Sequence, residues 1–196
     1  MFTGIITAVG TAERTRNTCV RIHANHGFIK KVRTGMSVSV DGACLTAKKP
    51  TREWFEADMM PETIRCTNLG ALRKTRAVNL ELPATPSSFL SGNLVQGHVD
   101  GVGKVKSTRQ ERGGLVLSLS FPSRLSRYIA EKGSIAINGV SLTVIETTRG
   151  ICAVGIIPHT ATHTNLGALK HGDTVNIEVD VIAKYVERLV NKNTDI

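Results

Sequence analysis

Thr67-Asn68-Leu69-Gly70-Ala71-Leu72 recurs letter for letter as Thr164-Asn165-Leu166-Gly167-Ala168-Leu169. Two other stretches repeat at the same spacing. Asp41-Gly42-Ala43-Cys44-Leu45-Thr46-Ala47 answers Asn138-Gly139-Val140-Ser141-Leu142-Thr143-Val144, and Val78-Asn79-Leu80-Glu81 answers Val175-Asn176-Ile177-Glu178. Each pair stands 97 residues apart (67 to 164, 41 to 138, 78 to 175). Solenoid units run to roughly 20–50 residues. The chain of 196 residues therefore reads as two tandem copies of one small domain of about 90 residues each. Similar but non-identical halves can hold two copies of one ligand in different roles.

Strand signals dominate both copies. Val38 and Val40 alternate with Ser37 and Ser39 before the Asp41-Gly42 turn, and Ile135 and Ile137 alternate with Ser134 and Ala136 before Asn138-Gly139. Leu115, Leu117, Leu119 and Phe121 alternate with Val116, Ser118 and Ser120. Short strands cut by Gly turns predict antiparallel barrels or sandwiches. A short helix is expected in each half, over Phe28–Val32 and from Pro122 to Gly133. Pro83, Pro86, Ser87 and Ser88 mark a linker, which divides the chain into residues 1–87, 88–181 and a C-terminal segment 182–196. In that last segment Ile182, Tyr185, Val186, Leu189 and Val190 fall on one face of a helix of about three turns. The stripe must cover a surface, either on its own domain or between copies of the chain.

The net charge of +9 permits attraction to anions. The basic residues are scattered, however, and the densest cluster (Lys30, Lys31, Arg33) has no interleaved aromatics, so no nucleic-acid partner is expected. Cys19, Cys44, Cys66 and Cys152 form no C-x-x-C pair, which suits free thiols in a reduced, cytoplasmic setting. No apolar stretch is long enough to span a bilayer, and no membrane partner is expected.

Four constellations are candidates to carry chemistry. In the two Gly turns, Cys44 and Thr46 share one strand face, as do Ser141 and Thr143, which fits a rim that reads a polar ligand. A hairpin with Thr chosen for strand propensity accounts for the same letters. In Gly97-His98-Val99-Asp100-Gly101, a His between small residues can present its ring to a ligand, and imidazole suits acid–base work. A turn histidine without a task is the plain alternative. His159 and His163 stand four apart, but Pro158 and the Thr-rich surroundings argue for a loop, and no metal site is expected. Asp180 ends a strand before a helix and reads as an N-cap or as an orienting acid.

Met1-Phe2-Thr3-Gly4-Ile5-Ile6, Gly42-Ala43-Cys44-Leu45-Thr46, Glu62-Thr63, Thr67-Asn68-Leu69-Gly70, Gly97-His98-Val99-Asp100-Gly101, Asn138-Gly139-Val140-Ser141-Leu142-Thr143 and Val179-Asp180-x-x-x-Lys184-Tyr185 together resemble riboflavin synthase. The resemblance implies an all-β fold of two six-stranded antiparallel Greek-key barrels with a C-terminal helix, assembled as a homotrimer through that helix. It implies a transferase of riboflavin biosynthesis that acts on two molecules of 6,7-dimethyl-8-ribityllumazine. One gives a four-carbon unit to the other, yielding riboflavin and 5-amino-6-(ribitylamino)uracil, without cofactor or metal.

By the same resemblance, the first barrel would hold one lumazine with Gly4, Ile5 and Ile6, with Cys44, Leu45 and Thr46, and with Asp58, Met59, Met60, Pro61, Glu62 and Thr63. The second would use Gly97, His98 and Val99, then Lys132, then Ser141, Leu142 and Thr143, and Ile156, Ile157, Pro158, His159, Thr160 and Ala161. The residues implied in turnover are Phe2, Ser37, Cys44, His98, Ser141, Thr143 and Asp180. Asn93 stands where the family commonly has a histidine, and His159 where it commonly has an acid. A non-catalytic lumazine- or flavin-binding protein on the same fold is the alternative; retention of Cys44 and His98 favours the enzyme.

Overall fold

A computed structural model describes residues 1–191; the tail assigned to the C-terminal segment, 192–196, lies outside the described residues. The first half supplies β1 (Ala8–Arg16), β2 (Cys19–His23), β3 (Ser37–Val40), β4 (Ala43–Lys48), β5 (Trp54–Asp58) and β6 (Arg76–Glu81). They close into a barrel in the order β1-β2-β5-β4-β3-β6. The second half supplies β7 (Gly101–Glu111), β8 (Gly114–Ser120), β9 (Ser134–Ile137), β10 (Val140–Thr148), β11 (Ile151–Ile156) and β12 (Thr174–Val179). Their order, β7-β8-β11-β10-β9-β12 around a closed ring, repeats the first. All pairs are antiparallel, and closure removes the exposed edges that a six-stranded sheet would otherwise present. The expected Greek-key barrels are thus the observed fold.

Alternation along the strands explains where each core sits. In β4, Ala43, Leu45 and Ala47 point inward and are buried, while Thr46 faces out. Val20, Ile22, Val38, Phe55 and Leu80 fill the first barrel; Leu117, Leu119, Ile135, Val154 and Ile177 fill the second. Among the described residues, four α-helices decorate the barrels: α1 (His26–Ile29), α2 (Pro61–Cys66), α3 (Pro158–His163) and α4 (Val181–Asn191). The helix expected between Pro122 and Gly133 forms only a 3-10 turn, Ser123–Tyr128, although Leu125 and Ile129 are buried as its periodicity implied. The segment holding His159 and His163, expected to be a loop, is helical. Pro158 occupies the first helical turn, where a missing N–H costs nothing.

The repeated letters turn out to build the join between the barrels. The Asp41-Gly42 and Asn138-Gly139 turns have positive φ at both central positions, as a type I′ hairpin requires. They pack against each other, and a Cβ on Gly42 would lie 2.7 Å from the Gly139 nitrogen. Around them runs a reciprocal set of bonds. Asn68 N–H donates to Asn176 Oδ1 and Asn165 N–H to Asn79 Oδ1, both at 2.7 Å. Asn79 Nδ2 donates to the Asn138 carbonyl at 3.0 Å, and Asn176 Nδ2 to the Asp41 carbonyl at 2.8 Å. Matching contacts of this kind define a local twofold between the halves.

One member breaks the symmetry. Asn138 Nδ2 donates to Asn165 Oδ1 at 3.3 Å, but Asp41 has no amide to give, and the equivalent Asn68 Oδ1 is buried without a partner. Burial pushes the Asp41 carboxyl up from 3.8 to about 6, although Arg76, the Asn79 N–H and Asn165 oppose the shift. A carboxyl raised in the folded state favours folding where it is protonated. Its stabilisation is therefore present at low pH and lost as pH rises through about 6. Asp41→Asn is expected to stabilise the protein at pH 7.5 by up to about 3 kcal/mol, lessened by the loss of the Arg76 partner. The gain should shrink towards pH 4.5, as read by urea unfolding at the two pH values.

Candidate functional site

The stretch before the first strand of each barrel lies on the other barrel. Phe2 and Val95 exchange backbone hydrogen bonds (2.7 and 3.1 Å), pinning the two stretches side by side. From there Gly97 crosses to the first barrel, where its carbonyl accepts the Cys44 N–H at 2.8 Å. Gly4 crosses to the second, where its carbonyl accepts the Ser141 N–H at 2.9 Å. Both glycines have positive φ (+83° and +76°), and a Cβ on either would fall within 2.6 Å of the Cβ it faces. Val99 then packs on the first core and Ile6 on the second.

This corrects the grouping expected above. Gly97, His98 and Val99 belong with Cys44, and Gly4, Ile5 and Ile6 with Ser141. A stretch adjacent in sequence to one barrel is, in space, the wall of the other.

Two hollows result. The first, about 280 Å³, is lined by Cys44, Glu62, Thr63, Cys66, Gly97, His98 and Val99, among others. The second, about 440 Å³, is lined by Ile5, Gly92, Asn93, Lys132, Ser141, Leu142, Thr143, Ile157 and Thr160, among others. A larger hollow of about 570 Å³ lies between Arg14, Arg16 and Arg73, but its lining carries no nucleophile or acid–base group apart from hydroxyl and arginine.

The halves differ in chemistry at equivalent positions, and the His159 and His163 counterparts stand outside the lining of the second hollow. Glu62 and Cys66 line the first, with the Cys66 thiol donating to Glu62 Oε1 at 3.0 Å. That bond holds the Cys66 thiol above its ordinary range and the Glu62 carboxyl below its own. The corresponding residues on α3 are His159 and His163, whose rings stack at 4.1 Å. Lys132 takes a φ of +62°, strained for a side-chain-bearing residue, where the first half has Gly35 at +86°.

Other expected site residues are placed as follows. Phe2 is fully buried beside Val95, Ala136 and Cys44, so it supports the wall and presents nothing to a ligand. Leu45, Met59 and Ile156 point into the cores. Asp58 pairs with Lys48, Met60 and Ile157 precede α2 and α3 as their N-caps, with Ile157 on the lining of the second hollow, and Pro158 is the first residue of α3. Ser37 begins β3 opposite Thr46, outside the lining of the first hollow. Asp180 accepts the Ile182 N–H at 2.9 Å and caps α4, in a narrow crevice with Asn93, Ser134 and Glu178. Asn93 keeps its station, its N–H on the Thr3 carbonyl and its Oδ1 accepting from Ser134.

Sequence reasoning missed Cys66, which had no repeat partner of its own kind. It also missed Glu81 and Glu178, whose only signal was the repeated Val-Asn-x-Glu. Among the described residues no group of three or more His, Cys, Asp or Glu could hold a metal ion, and no helix is long and apolar enough to cross a membrane.

The lumazine binding domain model matches the chain twice, at residues 3–83 and 96–180. The riboflavin synthase of Mycobacterium tuberculosis is 40% identical over 97% of this chain and 98% of its own length. That of Actinobacillus pleuropneumoniae is 38% identical over 98% and 91%, and that of Bacillus subtilis 35% identical over 98% and 91%. Among solved structures, LumP complexed with riboflavin superposes with a TM-score of 0.82 at 27% identity, covering 91% of this chain and 99% of LumP. LumP complexed with 6,7-dimethyl-8-(1'-D-ribityl) lumazine gives 0.80 at 25% identity over the same shares. A doubled lumazine-binding domain on paired barrels, with identity of this extent along nearly the whole length, means that the chain belongs to the riboflavin synthase family.

Proposed function

We propose that the chain is a transferase that converts two molecules of 6,7-dimethyl-8-ribityllumazine into riboflavin and 5-amino-6-(ribitylamino)uracil. The observation that carries this reading is Cys44 and His98 lining one hollow, brought together by the crossing of the Gly97 stretch. A pure binding site needs no thiol and imidazole on the lining of one hollow. The C7 methyl of the lumazine is acidic, and His98 is the base that removes its proton. Cys44 offers a thiol beside the reacting carbons. Ser141, Thr143 and Lys132 read the second ring. Four carbons leave one ring system and join the other with no net oxidation, so no cofactor is required. Much of the rate comes from holding two rings in reactive register, where orientation contributes roughly 7–11 kcal/mol.

The two hollows share no lining residue, which supports a reading in which the rings meet across neighbouring subunits. Helix α4 supports an assembly. Its polar side docks on its own chain, through Lys184 to Asp100 at 2.7 Å and Glu187 to Arg127 and Tyr128. Its apolar stripe, with Tyr185 64% and Leu189 67% exposed, is left uncovered in the single chain. A homotrimer through this helix is the proposed state, and four free thiols suit a cytoplasmic setting. Leu189→Asp is expected to yield monomers by sedimentation and to abolish turnover while each barrel stays folded.

The direct test is incubation of the purified protein with the lumazine. Riboflavin absorbance should grow. Tight binding without colour change would instead support a lumazine-binding protein without turnover, the ligand class seen in the LumP complexes.

A further inference from the structure

We propose that Glu81 and Glu178 are positioning residues that act crosswise, each standing on the last strand of one barrel and shaping the ligand hollow of the other. Glu81, on β6 of the first barrel, accepts the Thr3 N–H at 2.6 Å, the Thr3 hydroxyl at 2.7 Å and the Gly4 N–H at 3.0 Å. Gly4 is the residue laid over Ser141 in the second barrel. Glu178, on β12 of the second barrel, accepts the N–H groups of Gln96 at 2.7 Å, Gly97 at 2.9 Å and His98 at 3.1 Å. Gly97 is the residue laid over Cys44 in the first.

Both carboxyls are almost wholly buried, at 3% and 4% exposure. Their partners are backbone N–H groups and one hydroxyl, a cradle in which a carboxylate accepts at both oxygens. A buried acid is costly unless its oxygens are satisfied, and burial raises both carboxyls above their ordinary range. An acid whose task was only to stabilise its own barrel would bond within that barrel. These two spend their acceptors on the stretches that leave it. A glutamine in either place keeps the volume but turns an NH2 group towards N–H donors, so the held turn must move.

The inference rests on the reading of the two hollows as paired lumazine sites for its kinetic consequences, but not for its geometry. The experiment therefore follows backbone amide exchange by NMR in the full-length chain without ligand, alongside thermal melting. The Cys44 N–H reports the Gly97 crossing and the Ser141 N–H reports the Gly4 crossing. Glu178→Gln is expected to speed Cys44 exchange by about tenfold or more while Ser141 stays within about twofold. Glu81→Gln is expected to do the reverse. Riboflavin formation should fall in both.

Disturbance of the mutated residue's own barrel, equal disturbance of both amides, or no change in either would overturn the proposal. Should the glutamine variants fail to fold, Thr3→Val, which removes the hydroxyl donated to Glu81 together with the Ile5 N–H bond to that hydroxyl, decides the matter. It should speed Ser141 exchange alone, and an unselective or absent effect refutes the crosswise role. Selective exchange without any turnover in the parent protein would sink the proposed reaction and leave this inference standing.

Discussion

Replacing His98 by alanine is expected to lower kcat by about 10²–10³-fold with little change in fold. The two effects separate because His98 is held by its backbone. Its N–H donates to Glu178 Oε2, and the glycine before it bonds Cys44. The ring itself is exposed at the rim of the first hollow. Truncation therefore removes the imidazole and leaves the wall standing. Saturating steady-state assays with far-UV dichroism and melting would read both quantities. Full activity in this variant would retire His98 as the base and shift attention to Cys44.

The second large effect concerns stability. Gly42→Ala is expected to cost about 3–5 kcal/mol, combining left-handed strain with overlap against a packed neighbour. Gly42 has φ +78°, and the added Cβ would lie 2.7 Å from the Gly139 nitrogen and 3.0 Å from its Cα. Both are backbone atoms, so relief requires the two barrels to separate. Gly172→Ala is the matched control. Its φ is +90° with nothing within 4 Å, so only the backbone strain of about 1–2 kcal/mol remains. Chemical unfolding of the two variants should differ by at least about 2 kcal/mol; equal losses would mean that the facing turns carry no special burden.

Much of this architecture was legible in the letters. The spacing of 97 between repeats implied two copies, and alternation around Ser37–Val40 and Ser134–Ile137 located the strands correctly. Asp41-Gly42 and Asn138-Gly139 announced their turns. The apolar stripe of Ile182, Tyr185, Val186, Leu189 and Val190 does lie on a helix, where all five are exposed. Four things were hidden, each for a physical reason. The crossing of the Gly4 and Gly97 stretches is a tertiary exchange, and nothing in local propensity says which barrel a preceding segment will join. The repeated asparagines were visible, but whether an amide faces a ligand or a second domain depends on what lies opposite. Phe2 sits in a motif rich in site residues, yet an aromatic side chain with no exposure serves packing. Proline at 158 among threonines suggests a loop, whereas at the first helical position it starts a helix.

Where the account stands or falls is in the pairing of two bound rings. The decisive measurement is ligand stoichiometry by calorimetry with an unreactive lumazine analogue, repeated on the Ser141→Trp variant, whose second hollow is filled. The unaltered chain should take up two molecules per chain; the variant should take up one and form no riboflavin from the true substrate. A single molecule per chain in the unaltered protein, or undiminished riboflavin formation with the second hollow blocked, would contradict it.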